Sequence, residues 1–245
     1  MSTDSAVPRG AVALDDARQA LGRGAAVVLP NPAPLTHVVT ATSPQTVNEA
    51  KARPPGQPVA LWAHHAETLR TLAEVTELDA AGTALAGRLL TEEHLTLLLP
   101  LRADTRQPAW LAPACKDGWV LLFGARWQPL RPLLDEHRVL YVSSANRTGH
   151  PPAATTSEAL AMFPATVPVL QPPHPVDDPA GGPARRATTT VTLHPDGRLT
   201  LHRHGAQDQP YPNPDEYLDH LRARYASPPP PPAGLKIHDV RDNHC

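Results

Sequence analysis

Short polar side chains cluster directly after a predicted buried strand, in residues 143–149 (Ser-Ser-Ala-Asn-Arg-Thr-Gly). The strand itself, residues 139–142, is apolar. Hydroxyl and amide groups that follow the end of a strand are often presented to a ligand. The alternative is a turn in which Asn146 bonds to its own backbone, and taken alone the pattern favours that turn.

Two cations stand at the end of a predicted helix, where Pro54 stops it. Lys51 and Arg53 can converge on one anion as the backbone turns, since Arg supplies a planar fork and Lys a compact charge. The alternative is two solvated cations that stabilise a helix C-terminus. Lysine is scarce in this chain. The only two others are Lys116, in a predicted loop, and Lys236, in the tail. Taken alone the pattern favours two solvated cations, and the scarcity of lysine weakens that alternative.

The composition narrows the possible functions. The 245 residues are 41% hydrophobic with a net charge of -2, which excludes a protein dominated by nucleic-acid electrostatics but allows a local basic groove. Aromatic residues are 4% of the chain, which argues against a base-stacking platform. We find no membrane-length apolar run and no secretory signal, so we expect a cytoplasmic protein. The predominance of Arg over Lys, with abundant Ala, is typical of a GC-rich bacterial genome.

Alternating helix and strand patterns predict an α/β fold with a mixed sheet and flanking helices. Ser43 and Asn213 are expected to cap helices, and residues 195–197 (Pro-Asp-Gly) to turn a hairpin. The predicted strands are 25–30, 35–41, 58–62, 95–101, 118–124, 139–142, 167–170, 188–193 and 199–204. The predicted helices are about 13–21, 43–52, 66–75, 77–90, 129–136, 157–162 and 213–225.

The chain is expected to form one domain over residues 1–226, with a core at about 10–206 and a closing helix at about 213–225. Residues 171–184 are rich in Pro, Gly and Asp and are predicted to form a loop. Residues 227–245 begin with a proline run, which predicts a flexible extended spacer that could dock a protein partner.

The two polar pairs together resemble the signature of the YrdC-like family, in which Lys-x-Arg precedes Ser-x-Asn by about ninety residues. This family comprises the threonylcarbamoyl-AMP synthases of tRNA modification and related carbamoyl-adenylate-forming domains. The resemblance covers about residues 10–206 and implies a twisted open mixed sheet with flanking helices and a concave basic cavity. Other segments similar to family motifs are residues 27–30, 95–99, 124–126 (Gly-x-Arg), 189–191 and 203–206 (Arg-x-Gly).

The resemblance implies an ATP-dependent adenylating enzyme, a nucleotidyltransferase that uses ATP, bicarbonate and an amino acid or amine. The amine captures CO2 as a carbamate, which attacks the α-phosphorus and displaces pyrophosphate. As catalytic groups, Lys51 and Arg53 would hold phosphate oxygens, while Ser144 and Asn146 would bind the nucleotide and its Mg2+, which enters with ATP. The same resemblance places four further residues on the cavity wall: Thr96, Arg126, Thr190 and Arg203.

One family motif is changed in this chain. Where the family reads Pro-Thr-acid-Thr-(Val/Leu)-Tyr-Gly-Leu, residues 30–37 read Pro-Asn-Pro-Ala-Pro-Leu-Thr-His, and only the leading proline is kept. A Pro-Gly-Pro turn is also replaced, by residues 92–94 (Glu-Glu-His). We therefore expect nucleotide binding to persist and the amine to differ from threonine. The alternatives are a catalytically degenerate protein that binds nucleotide or RNA, with RNA weakly supported by the near-neutral charge, and a subunit whose tail docks a partner.

The histidines and cysteines predict no metal site. The pairs His64-His65 and His202-x-His204 lack the helical spacing and the Cys partner that zinc sites usually show. One strand face could still present both His202 and His204. Cys115 has no local base to activate it and is expected to be a small buried or loop residue.

Overall fold

The computed structural model describes residues 10–171 and 184–226 of the chain. Within them, helices flank one mixed sheet of eleven strands, which confirms the predicted α/β architecture. All but the two end residues of the predicted loop 171–184 lie outside the described residues, as does the whole tail 227–245.

The elements follow the predicted order. The strands are β1 (Ala11–Val12), β2 (Val27–Leu29), β3 (Val38–Ala41), β4 (Ala60–Trp62), β5 (Thr96–Pro100), β6 (Cys115–Lys116), β7 (Trp119–Phe123), β8 (Tyr141–Ser144), β9 (Val169–Leu170), β10 (Thr190–Leu193) and β11 (Leu199–Arg203). The helices are α1 (Leu14–Gly22), α2 (Pro44–Ala50), α3 (Ala66–Val75), α4 (Ala80–Thr91), α5 (Arg131–Leu134), α6 (Thr156–Met162) and α7 (Pro214–Tyr225). Two 3-10 helices lie at Ala109–Ala114 and Gln128–Leu130.

The sheet order is β1-β9-β2-β3-β8-β4-β7-β5-β10-β11, with β6 paired to β7. Strand β8 runs antiparallel to both β3 and β4, whereas β7 is parallel to β4 and antiparallel to β5. Ser144 at the end of β8 pairs with Val38, and Thr96 at the start of β5 pairs with Phe123. This register brings the ends of strands that are distant in sequence to one region of the sheet.

Apolar cores cover both faces of the sheet. Along β2, Val28 packs in one buried cluster, whereas Val27 and Leu29 pack in another, as the alternation of side chains across a strand requires. The second cluster includes Leu21 from α1, and the first includes Leu89 from α4. Helices therefore close both faces, and the described strands contribute most of their side chains to the interior.

The two predicted helix caps had different outcomes. Asn213 caps α7 as predicted, because its Oδ1 accepts a hydrogen bond from Glu216 N at 2.9 Å. Ser43 occupies the N-cap position of α2, but its side chain makes no cap bond. Its hydroxyl instead donates to Gln45 Oε1 at 2.9 Å, so the predicted N-cap position is confirmed without a side-chain bond to the helix backbone.

The elements that sequence patterns missed are short. Strands β1 and β6 have two residues each, and the 3-10 helix Ala109–Ala114 contains Pro113. Two residues cannot display a periodicity, and a proline inside a segment argues against any helix. Among the described helices, none has the length and apolarity needed to cross a membrane.

Candidate functional site

A cavity of about 370 Å3 lies where β3, β4, β5, β7 and β8 run side by side. Six of the eight predicted site residues line it: Lys51, Arg53, Thr96, Ser144, Asn146 and Arg203. The other polar or small side chains on its wall include Asn31, Thr36, Gln57, Ser143, Thr148, Gly149 and Thr188.

Lys51 joins the two motifs that the sequence separates. Its side chain is 3% exposed, and Nζ donates to the carbonyl oxygen of Ser144 and, at 2.7 Å, to Asn146 Oδ1. The Ser144 hydroxyl donates to the same Asn146 oxygen at 2.6 Å. The cationic pair and the hydroxyl–amide pair therefore share one wall of the cavity.

The C-terminus of α2 directs the side chains of Lys51 and Arg53. Lys51 is the C-cap, Arg53 N donates to Asn48 O at 3.0 Å, and Ala52 N donates to Glu49 O at 2.9 Å. These two bonds form a Schellman motif, in which the residue after the cap adopts a left-handed conformation. Ala52 has a φ of 52° as this motif requires, although glycine is the usual residue there. The reversal of the chain at this point turns Lys51 and Arg53 toward one cavity.

Asn48 positions Arg53 from inside the protein. Its side chain is fully buried, and its Oδ1 accepts a hydrogen bond from Arg53 Nε. Its amide donates to the carbonyl oxygens of Pro55 and Gln57 at 2.8 and 2.9 Å, which holds the loop after α2. The Lys-x-Arg motif does not include Asn48, because Asn48 contacts Arg53 only once the loop after α2 folds back.

The charged groups on the cavity wall all have the same sign. Burial, with the nearby Arg53 as a smaller cause, lowers the pKa of Lys51 to about 7. Burial also lowers the pKa values of Arg53 and Arg203. No carboxylate lines the cavity among the residues that the structure describes. The arrangement suits a polyanion, whose charge would offset the cost of burying three cations.

Threonines form the opposite wall. The hydroxyls of Thr96 and Thr188 lie 2.5 Å apart, and Arg203 Nη2 donates to Thr188 O at 3.2 Å. Position 205 packs closely against the backbone of Thr189 and requires glycine, because a Cβ there would lie 2.2 Å from Thr189 N. Thr190 is buried beside Thr96 in the sheet and does not line the cavity, whereas Thr188, which motif comparison overlooked, does.

The altered segment 30–37 also contributes to the wall. Asn31 is 1% exposed, and its Nδ2 donates to Thr36 O at 2.9 Å, while its Oδ1 has no hydrogen-bond partner within the described part of the chain. Arg185 donates to the carbonyl oxygens of Asn31 and Leu35, which fixes this segment. Position-by-position comparison suggested that every family hydroxyl was lost, yet Thr36 places one on the cavity wall.

Arg126 lies in a different cavity from the other predicted residues. Its Nη2 donates to Ala63 O at 2.6 Å, and it lines a space bounded by His64 and His94. The chain leaves β7 after Phe123, so Arg126 stands beyond the end of the strand. The expectation that it shares the first cavity does not match this position.

Cys115, His65 and His204 make hydrogen bonds within the protein. Burial raises the pKa of the Cys115 thiol to about 11, and Sγ donates to Leu111 O at 3.1 Å, which does not suit a nucleophile. His65 caps α3, and His204 bonds Asp208 at 2.6 Å. Within residues 10–171 and 184–226, no three His, Cys, Asp or Glu side chains are grouped to hold a metal ion.

Solved structures share this fold at low sequence identity. P. abyssi Sua5 complexed with L-threonine is 19% identical with a TM-score of 0.56, over 78% of this chain and 54% of that one. Full-length HypF in the phosphate- and nucleotide-bound form is 15% identical with a TM-score of 0.58, over 80% and 29%. E. coli YciO is 13% identical with a TM-score of 0.54, over 78% and 88%. This chain thus spans about half of the Sua5 chain and under a third of HypF.

Sequence comparison identifies the family. No curated protein sequence matches the chain. The sequence model of the family Sua5/YciO/YrdC, described as telomere recombination, matches residues 19–205, which is more than half of the chain. That family includes threonylcarbamoyl-AMP synthases and HypF proteins. The chain is a member of the Sua5/YciO/YrdC family.

Proposed function

We propose that this protein is an ATP-dependent adenylating enzyme that converts ATP, bicarbonate and an amine or amino acid into a carbamoyl-type adenylate and pyrophosphate. One observation carries the proposal. Lys51, Arg53 and Arg203 line a cavity that also holds Ser144 and Asn146 and has no carboxylate among its described lining residues. A relative of the same fold, HypF, has been solved in a phosphate- and nucleotide-bound form.

The triphosphate is the group that these cations suit. Arg53 presents a guanidinium held by Asn48, and Arg203 approaches from β11, so the two can grip phosphate oxygens from different sides. Lys51 adds a compact charge beside the Ser144 carbonyl oxygen and the Asn146 amide oxygen. The described lining offers hydroxyl and amide oxygens for Mg2+ but no carboxylate, so the ion enters as part of the MgATP substrate.

The chemical step needs alignment more than proton transfer. Bicarbonate takes up a proton and loses water to give CO2. The amine adds to this CO2 and releases a proton, which leaves a carbamate, and a carbamate oxygen then bonds to the α-phosphorus of ATP. The bond from that phosphorus to the bridging oxygen breaks, and pyrophosphate leaves with the electron pair. Lys51 and the arginines neutralise the charge that builds on the phosphates, and the cavity holds carbamate and phosphorus in line.

The amine is proposed to differ from threonine. L-threonine is bound in a solved Sua5 relative. In this chain the altered segment lines the cavity with the neutral polar residues Asn31 and Thr36. The neutral polar wall therefore selects the amine, and the cationic wall holds the nucleotide.

The test compares two lysines. Replacing Lys51 with Met should weaken ATP binding, measured by isothermal titration, at least about tenfold, because a charged hydrogen-bond partner of the triphosphate is lost. Lys116→Met is the matched control, since Lys116 is exposed and lies outside the cavity. Undetectable ATP binding by the unmodified chain, or equal binding by both variants, contradicts the proposal.

A second candidate function is a nucleotide- or RNA-binding protein without catalysis. The changed segment 30–37 favours it, because loss of the family motif can abolish the reaction while the phosphate-binding cations remain. Pyrophosphate release with ATP, bicarbonate and a panel of single amines separates the two. Release with any amine supports the enzyme, ATP binding without release supports the binder, and release with threonine alone contradicts the altered amine.

A further inference from the structure

A second cavity, of about 430 Å3, lies beyond the ends of β4 and β7 and before the start of β5. It shares no lining residue with the first cavity among the described residues. The proposed adenylation does not use it. Its lining residues are His64, Thr91, His94, Arg126, Trp127, Gln128, Arg131, Leu134 and Asp135.

Arg126 is the unusual group in this cavity. Its guanidinium is half-buried, Nη2 donates to Ala63 O at 2.6 Å, and the buried Nε has no hydrogen-bond partner in residues 10–171 and 184–226. No carboxylate forms an ion pair with it in the described part of the chain. A half-buried guanidinium that lines a cavity without a counterion costs free energy, so this position favours a ligand that supplies negative charge.

The other charged groups of the cavity do not supply negative charge to Arg126. Asp135, the one carboxylate among the described lining residues, lies 3.6 Å from Arg131 in an ion pair. His64 directs both ring nitrogens at carbonyl oxygens, Nδ1 at Trp62 O and Nε2 at His137 O. His94 adds no negative charge, and burial, with the positive charge of Arg126 as a smaller cause, lowers its pKa. The cavity therefore holds an excess of positive charge.

A row of rings separates the two cavities. Phe123 lines the first cavity and packs edge-on against Trp62, with ring centroids 5.3 Å apart. Trp62 in turn packs against His64 of the second cavity at 6.0 Å. Trp62 is fully buried, and its indole N–H donates to Ala125 O at 2.9 Å. An anion in the second cavity is thus held apart from a nucleotide in the first.

We propose that the second cavity binds a small molecule through its oxyanion group, a phosphate or a carboxylate, with Arg126 as the principal ligand. The guanidinium fork matches the geometry of both oxyanions. Gln128 adds an amide and Trp127 an apolar ring for the rest of the molecule. The volume falls within the range of small-molecule sites, which exceed the size of a bare ion.

The NMR signals of histidine rings report selectively on binding in the second cavity. His64 and His94 line the second cavity, and no histidine is among the described residues that line the first. The full chain is titrated at fixed pH and ionic strength with inorganic phosphate in one arm and acetate in the other, against chloride. The ring signals are assigned through His64→Gln and His94→Gln. We expect saturable shifts of both signals, and the arm that produces them identifies the oxyanion as phosphate or carboxylate.

Arg126→Gln should weaken this binding at least about tenfold, which corresponds to about 1.4 kcal/mol. Lys51→Met should leave it unchanged. Should Arg126→Gln not fold, Arg126→Lys keeps the charge without the fork and should still bind more weakly than the unmodified chain. The proposal is overturned when neither anion produces saturable shifts, when the shifts persist in the Arg126 variants, or when they vanish in Lys51→Met.

Discussion

Lys51 is a buried cation that has no carboxylate partner among the residues that the structure describes. Its two acceptors are the Ser144 carbonyl oxygen and the Asn146 amide oxygen, which are neutral groups. Neutral acceptors compensate a buried charge less than an anion does, so burial lowers the pKa of Lys51 to about 7. The free protein therefore carries an electrostatic cost that a bound polyanion would relieve.

This cost predicts how stability depends on pH. Because the pKa of Lys51 is lower in the folded protein than its ordinary value of 10.5, the unfolded chain holds the proton between about pH 7 and pH 10.5 while the folded chain releases it. The lysine should therefore make the free energy of unfolding rise with pH in that window, by at most about 1.4 kcal/mol per pH unit. Urea unfolding of the unmodified chain and of Lys51→Met at several pH values measures this difference. Parallel pH profiles for the two proteins would refute it.

Asn48 predicts a second residue-scale effect. Asn48→Ala removes the acceptor of Arg53 Nε and two donors to the Pro55 and Gln57 carbonyl oxygens. We expect the free energy of unfolding to fall by roughly 1–3 kcal/mol, and ATP binding to weaken because Arg53 loses its orientation. Glu49→Ala, an exposed change on the same helix, is the control and should alter neither. Weakened ATP binding in Glu49→Ala, or unchanged binding in Asn48→Ala, would count against this role of Asn48.

At the scale of elements, strong local patterns predicted the structure and tertiary contacts limited the prediction. The apolar runs at 95–101 and 118–124 are strands β5 and β7, and the Pro-Asp-Gly turn closes β10 onto β11. Thr188 and Asn48 could not be predicted as site residues, because each acts through a neighbour that only the folded sheet brings near. The prediction that Arg126 lines the first cavity was wrong. Its proximity in sequence to β7 does not reveal where the chain turns after that strand ends.

The end of α2 supplies an element-scale prediction. Ala52 occupies the left-handed position of the Schellman motif at a φ of 52°, where an L-residue is strained and glycine is not. Ala52→Gly should therefore raise the free energy of unfolding by about 0.5–1 kcal/mol. Ala50→Gly, two residues earlier inside the helix, should lower it by a similar amount. Chemical unfolding measures both, and the same sign for the two variants would contradict the assignment of the motif.

At the scale of the whole molecule, charge is distributed unevenly. The chain has a net charge of -2, yet three cations and no described carboxylate line the first cavity. Its walls come from the β3–β8 side and from the β5–β10–β11 side of the sheet. A ligand that touches both walls binds the folded chain and not the unfolded one, so it stabilises the whole fold.

Tripolyphosphate should therefore raise the melting temperature of the unmodified chain. At one hundred times the dissociation constant the gain in stability is about 2.7 kcal/mol. Added salt should reduce the effect through screening. Thermal unfolding in tripolyphosphate, compared with chloride at equal ionic strength, measures this rise in melting temperature. The rise should be smaller for Lys51→Met than for the unmodified chain. An equal rise in both proteins would show that the effect does not depend on Lys51.

The anchoring of Lys51 to a main-chain oxygen has a consequence for how this fold can diversify. A peptide carbonyl is present whatever amino acid occupies position 144, so one of the two acceptors of the ammonium group survives any substitution there. The other acceptor, Asn146 Oδ1, depends on its side chain. Homologues can therefore exchange the residue at 144 to suit a new substrate while the lysine keeps its place, whereas a change at 146 removes half of its support.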